Sequence, residues 1–242
     1  MIYFLLCVYN EEINVEYVIN SIRQQIKNYK IIIVNDGSTD NTKYVLEKLS
    51  CEDMVVLHHQ KNLGLGFALK TGFEYVIPKL TLQDVVITMD ADNTHPVEVV
   101  QDMIQKFNEG CDVVIASRYC LGGQQIGVVW YRKLLSYTAK ILLKILFPYK
   151  NIKDYTTGYR LYSAKVLLQA KNKYKDKFIT QKNFVVQLEL LLKILKFKPA
   201  VCEVPLKLLY YKKYGKSKLK IVKNIFSYLN FIIKFWFSNY ES

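Results

Sequence analysis

A chain of 242 residues, 51% of them hydrophobic, is long enough for one large domain with a sizeable core and a short extension. Ten glycines and five prolines are too few for a long flexible linker, and the absence of low-complexity tracts and of 20-residue self-similarity excludes a disordered or solenoid protein. The formal charge of +13 points to an anionic partner.

Along the first half, short apolar runs alternate with helical patterns, as in a βαβ sheet with parallel strands. The runs are Ile2–Val8, 31–35, Met54–His58, Val85–Asp90 and 112–116, with helical stretches at 14–25, 41–49, 66–76 and 96–108 between them. The first run lacks a basic leader and leads directly into Asn10-Glu11-Glu12, so it reads as a buried strand and not a signal peptide. Ligands of such sheets bind at the carboxyl ends of the strands. Those ends are polar here: Tyr9-Asn10-Glu11-Glu12, then Asn35-Asp36-Gly37-Ser38-Thr39-Asp40, then Asp90-Ala91-Asp92-Asn93-Thr94-His95-Pro96. Three acidic clusters on one sheet edge repel one another unless a cation or ligand donors sit among them.

From Trp130 onward the character changes. A strongly apolar helix over about 133–147 carries Lys133, Ser136, Lys140 and Lys144 as a narrow polar stripe, and 221–237 repeats the design with Lys223, Ser227, Asn230 and Lys234. At 1.5 Å per residue the second spans roughly 25 Å, short of the roughly 30 Å hydrocarbon core. Both are therefore expected at a membrane interface, or packed on the domain as core helices. Between Lys196 and Lys234 lie ten lysines against one acid, Glu203, interleaved with aromatics from Tyr210 to Trp236. Such a stretch suits an anionic membrane surface or nucleic acid; a merely solvated lysine face is the plain alternative. Cysteines 7, 51, 111, 120 and 202 are scattered without a CxxC pair, so neither a zinc site nor a disulfide framework is expected, and a reducing compartment fits.

Asp90 and Asp92 leave a buried strand with Ala91 between them. Hard cations such as Mg²⁺ or Mn²⁺ take oxygen ligands and share them with substrate phosphates, so the pair is suited to a cation that bridges a diphosphate. A lone DxD is weak evidence; a solvated turn or a cap for the helix after Pro96 is the structural alternative.

With Val34-Asn35-Asp36-Gly37-Ser38-Thr39-Asp40, Asn62-Leu63-Gly64-Leu65-Gly66, Met89-Asp90-Ala91-Asp92, His95-Pro96 and Ala116-Ser117-Arg118-Tyr119 in order, the chain resembles family 2 glycosyltransferases, specifically the dolichol- and polyprenyl-phosphate sugar synthases. Gly122-Gly123, Trp130-Tyr131-Arg132, Thr157-Gly158-Tyr159-Arg160 and Gly215-Lys216-Ser217-Lys218 extend the match from residue 2 to about 220. The resemblance implies an α/β GT-A domain over 1–220 with a mostly parallel mixed sheet, and an amphipathic C-terminal helix over 221–242. It implies a metal-dependent enzyme in which Tyr9, Asn10, Glu11, Asp36, Ser38 and Asp90 bind the nucleotide and Asp90 and Asp92 hold the Mg²⁺ or Mn²⁺. Arg118, Arg132, Lys212 and Lys218 would face donor and acceptor phosphates, with Arg118 and Arg132 counted beside the two aspartates as catalytic. The sequence departs from the family pattern at Cys7, often proline; at Asn35, the first of two aspartates; at Thr94, glutamine in mannose-specific relatives; and at Lys212, usually arginine. Thr94 leaves the third metal ligand open, and Lys212 loses bidentate phosphate geometry.

The expected reaction moves a hexose, from a donor of the GDP-mannose or UDP-glucose type, to polyprenyl or dolichyl phosphate, with inversion. A phosphate monoester has a second pKa of roughly 6 and needs positioning, not deprotonation. The second half has no paired acids in a base motif, only Asp154, Asp176, Glu189 and Glu203, and lacks the QxxRW signature of processive synthases. The competing enzyme reading is transfer to a glycan, protein or lipid hydroxyl with Asp154 or Glu189 as base. Non-enzymatic readings are a nucleotide-sugar sensor and a nucleic-acid-binding module; no nucleic acid is expected, since the acidic sheet edge would repel its backbone. The enzyme is expected on the cytoplasmic side of a membrane, held peripherally by its own helices, a membrane-anchoring subunit or homo-oligomerisation.

Overall fold

The alternating pattern produces five strands of one direction: β1 (Ile2–Val8), β2 (Tyr29–Asn35), β3 (Met54–His58), β4 (Val85–Asp90) and β5 (Val113–Ser117). Helices α1 (Val15–Gln25), α2 (Thr42–Lys48), α3 (Leu65–Val76) and α4 (Val99–Asn108) connect them. A computed structural model describes residues 1–214 and the helix α8 (Ile221–Ser238); Lys218, with the phosphate contact expected of it, lies outside the described residues. The remaining elements are β6 (Gln124–Ile126), α5 (Trp130–Leu146), β7 (Arg160–Ser163), α6 (Ala164–Tyr174), α7 (Val186–Leu195), β8 (Val201–Pro205) and β9 (Lys207–Leu209).

The seven-stranded sheet has the order β3-β2-β1-β4-β7-β5-β8, parallel except for β7, which runs against both neighbours. Each face buries its own core. Phe4, Leu6 and Val8 of β1 point towards α1 and α4, whereas Leu5 points towards α3, α6 and α7. The chain leaves β1 towards β2 and β3 on one side and towards β4 on the other, so the crevice beyond the carboxyl ends of β1 and β4 is the switch point where a ligand fits.

Three features are not legible in the sequence pattern. The strand β7 had no alternating signature: all four residues are buried, including Arg160, which donates to the carbonyls of Tyr155 (2.8 Å) and Gln187 (2.5 Å). Cys111 and Cys202, 91 residues apart, form a disulfide from the segment before β5 to its sheet neighbour β8, against the expectation of none. Sheet neighbours of that separation leave no spacing signal in the chain.

The third feature is the orientation of α5. Its polar stripe faces the protein: the Ser136 hydroxyl meets the Tyr119 hydroxyl, Lys140 Nζ lies 4.9 Å from the Tyr119 ring centre, and Lys144 Nζ is donated to the carbonyls of Tyr149 and Ile152. Leu143 is the buried residue of the helix, while Trp130 (75% exposed), Leu134, Ile141 and Ile145 (70%) face outwards. On α8, Phe231 and Ile232 are buried and Ile225, Phe226, Leu229 and Ile233 are exposed. An ordinary surface helix has the reverse polarity. No helix among the described residues is long and apolar enough to cross a membrane.

Candidate active site

The strand ends meet in a cleft of about 1070 Å³ lined by Tyr9, Glu11, Asp36, Asp90, Asp92, Thr94, Arg118 and Arg132, among others. Asn10 and Ser38 are not among its lining residues. The Asn10 backbone N–H donates to Ser38 Oγ at 2.9 Å and its side chain accepts from Thr39 N–H at 2.8 Å, which ties the ends of β1 and β2 together.

Asp36 is buried at the end of β2. Its carboxylate accepts from the backbone N–H groups of Leu63 (2.9 Å) and Gly64 (2.8 Å) and lies 2.6 Å from His59 Nδ1, whose Nε2 meets Thr71 Oγ1 at 2.9 Å. It therefore anchors the Asn62–Gly66 loop, and Gly66 has no alternative, since a Cβ there would overlap the Gln181 carbonyl. Glu11 accepts from the Asn14 side-chain amide at 2.6 Å.

At the β4 end, the Asp90 N–H donates to His95 Nδ1 at 3.0 Å, which leaves the ring proton on Nε2, 3.7 Å from the Asp90 carboxylate. Stacking on Tyr159, with ring centres 4.8 Å apart, fixes the imidazole. Burial and the neighbouring Asp92 push the Asp90 carboxyl above the usual range, against the pull of His95 and Lys213. Asp92 goes the other way: burial would raise it, but Lys213, His95 and the Thr94 hydroxyl hold it low. Its Oδ1 accepts from Thr94 Oγ1 at 2.6 Å and its Oδ2 pairs with the Lys213 ammonium. Lys212, the residue expected to face phosphate, is exposed and does not line the cleft. Its neighbour Lys213 lies in the cleft instead; adjacent lysines in an irregular segment give the sequence no means of choosing between them.

Arg118 is clamped by Asp154, Nε to Oδ2 and Nη2 to Oδ1 both at 2.8 Å, with a further bond from Nη2 to Thr156 Oγ1 at 2.7 Å. Burial opposes both charges, yet the pair outweighs it, keeping the guanidinium above and the carboxyl below their ordinary values. Arg132 Nη1 donates to the Tyr210 hydroxyl at 2.7 Å, and its buried Nε has no partner among the described residues.

This arrangement, acids on two strand ends with arginines across the cleft, is matched by the sequence over most of its length: residues 3–169 fit the model of Glycosyl transferase family 2. The chain belongs to that family. This glycosyltransferase is 30% identical over 201 residues to polyprenol monophosphomannose synthase of Mycolicibacterium smegmatis, covering 82% of the chain and 73% of the relative. It is 34% identical over 230 residues to dolichol-phosphate mannosyltransferase of Pyrococcus furiosus, covering 93% of the chain and 61% of the relative. Among solved structures, glucosyl-3-phosphoglycerate synthase from Mycobacterium tuberculosis in complex with Mn²⁺, UDP and phosphoglyceric acid matches with a TM-score of 0.67 at 20% identity, over 96% of this chain and 76% of that one. The shared fold is GT-A.

Two other acids of the second half of the glycosyltransferase, Glu189 and Glu203, are engaged. Glu189, 1% exposed, accepts from the N–H groups of Thr180 and Gln181 and pairs with Lys193 at 2.6 Å. Glu203 accepts from the N–H groups of Lys153 (2.7 Å) and Asp154 (2.8 Å), and so orients the carboxylate that clamps Arg118. Asp176 is exposed and, like Glu189, does not line the cleft.

Proposed function

We propose that this enzyme transfers a hexose from a nucleoside-diphosphate sugar to a polyprenyl or dolichyl phosphate at a membrane surface. The observation that carries this reading is the continuity of the cleft. The same cleft is lined by Asp90, Asp92, Arg118 and Arg132 and by the apolar Leu135, Ala139 and Leu142 of α5 and Ile225 and Leu229 of α8. A polar, basic passage that opens on an apolar wall suits a phosphate carried on a hydrocarbon chain. The named relatives, polyprenol monophosphomannose synthase and dolichol-phosphate mannosyltransferase, support the same acceptor class and favour mannose.

The acceptor needs no base. Asp154 and Glu189, the candidates for a hydroxyl-activating carboxylate, are committed to Arg118 and to the Thr180–Gln181 turn. A phosphate oxygen held by the arginines attacks the anomeric carbon, the bond from that carbon to the diphosphate oxygen breaks, and the configuration inverts. Arg132, whose buried Nε lacks a partner among the described residues, is suited to the incoming phosphate.

The donor set fits a divalent cation held by Asp90 and Asp92. Two carboxylates of like charge, one raised and one held low by an ammonium, are a site short of positive charge. Among the described residues no three acidic, His or Cys side chains converge, so diphosphate and water would complete the shell. When bound, the cation neutralises the departing nucleoside diphosphate. Thr94 donates its hydroxyl to Asp92 and thereby orients that carboxylate. Lys213 competes for Asp92 Oδ2, and a charge-assisted bond is worth about 1.5–3 kcal/mol. Lys213→Met is therefore expected to bind Mn²⁺ about tenfold or more tightly without donor, read from the spin-resonance signal of free Mn²⁺. Unchanged affinity would show that the ammonium does not occupy the cation's place.

The outward-facing apolar residues of α5 and α8 support peripheral attachment to the membrane, on the cytoplasmic side where nucleotide sugars are at hand, alone or with an anchoring subunit or a second copy. Leu142, 42% exposed, tests the apolar wall. In Leu142→Asp the polyprenyl phosphate concentration for half-maximal transfer should rise about tenfold with the melting temperature unaltered, since a buried charge against a lipid chain is costly whereas an exposed one is not. Equal dependence in both proteins would remove α5 from the acceptor site.

A further inference from the structure

The helix α7 is apolar along its buried length, with Leu188, Leu190, Leu191, Leu192, Ile194 and Leu195 all enclosed. Gln187 stands among them, 5% exposed, and lines the cleft. Its backbone is fixed by Arg160, whose guanidinium donates to the Gln187 carbonyl at 2.5 Å. Its carboxamide lies against Gly158: a Cβ on that glycine would come within 2.5 Å of Nε2, so glycine there leaves room for the amide. Gly158 in turn is tied to β4, since Thr88 Oγ1 donates to its carbonyl at 2.7 Å, two residues before Asp90. The amide thus stands beside the strand end that carries the acidic pair.

Gln187 Oε1 is buried and has no hydrogen-bond partner among the described residues. Leaving such an acceptor unpaired costs about 1–3 kcal/mol, and leucine would fill the same helix position without that cost. A carboxamide offers one acceptor and two donors. A phosphate dianion can only accept, and so cannot satisfy the oxygen. A hydroxyl both donates and accepts. We infer that Gln187 hydrogen-bonds a hydroxyl of the transferred sugar and selects the donor hexose, with Gly158 and Arg160 holding the amide in position.

This inference rests on the glycosyl-transfer reading but not on the identity of the acceptor, because donor hydrolysis reports the same contact. The test compares wild type, Gln187→Leu and Gln187→Glu on GDP-mannose and UDP-glucose and, for whichever is used, on its single-deoxy analogues. A site that hydrogen-bonds a hydroxyl penalises the analogue lacking it. Wild type is expected to lose about tenfold or more in kcat/KM on one deoxy analogue. Gln187→Leu is expected to lose a similar factor on the parent donor, to show no further loss on that analogue, and to melt at or above the wild-type temperature. Two results would overturn the inference: an unchanged deoxy penalty in Gln187→Leu, or a fall in melting temperature with equal losses on every donor, which would make Gln187 a packing residue. If polyprenyl phosphate receives no sugar while donor is hydrolysed, the acceptor reading fails and the comparison proceeds on hydrolysis.

Discussion

Asp92→Asn is expected to lower kcat/KM for sugar transfer by about 10²–10³ while leaving the fold intact. The substitution keeps an oxygen to accept the Thr94 hydroxyl and removes the negative charge that the site balances against Lys213 and would offer to a cation. Groups that stabilise charge developing on a leaving group contribute on this scale. The change also leaves the Lys213 ammonium without its anion, so the melting temperature should fall somewhat while circular dichroism matches wild type. A variant within about threefold of wild-type turnover would mean that the diphosphate is stabilised elsewhere, Arg118, Arg132 and Lys213 being cations that line the cleft.

The second large effect is on stability. Arg118→Ala leaves Asp154 buried without its cation, and Asp154→Ala leaves the guanidinium without its anion; each is expected to cost about 3–5 kcal/mol in chemical denaturation. The double variant should cost less than the sum, since the penalty of either single change lies in the orphaned charge. Arg118→Lys should rescue little, because one ammonium cannot reproduce the fork to Oδ1, Oδ2 and Thr156. The pH dependence has a definite sign. Asp154 is held below its unfolded value, so its contribution is complete above the ordinary carboxylate pKa, about 3.9, and is lost as pH falls through the lower folded value. Wild type should therefore lose stability on acidification below about pH 5, and Asp154→Ala should lose correspondingly less. Additive single variants with wild-type acid sensitivity would contradict the pairing.

How much of this was legible in the chain depended on how local the cause was. The strands β1, β3 and β4 begin and end where their apolar runs do, because two-sided burial writes itself as a continuous Val/Ile/Leu stretch. Asp90 and Asp92 were legible for the same reason: a polar pair that ends such a run must lie at the sheet edge. The clamp of Arg118 on Asp154, the anchoring of Asp36 by the Leu63–Gly64 backbone and the Cys111–Cys202 bond were not, since each joins segments that only the sheet order brings together. Gln187 leaves a faint signal: one uncharged polar residue in an apolar helix, which in sequence alone looks like any tolerated substitution. The polar stripe of α5 stands out in the sequence, but whether it faces water or the protein is decided by packing, by Tyr119 and by the Tyr149–Ile152 carbonyls.

The central claim is that the basic passage between the acidic pair and the apolar wall takes a lipid phosphate. Its most direct test is transfer of label from GDP- and UDP-hexoses to polyprenyl phosphate in detergent, with Mg²⁺ or Mn²⁺ and with chelator. Labelled lipid phosphate from one donor, abolished by chelation, is the expected result. Metal-dependent hydrolysis of the donor with no label in the lipid would contradict it and move the acceptor to a hydroxyl.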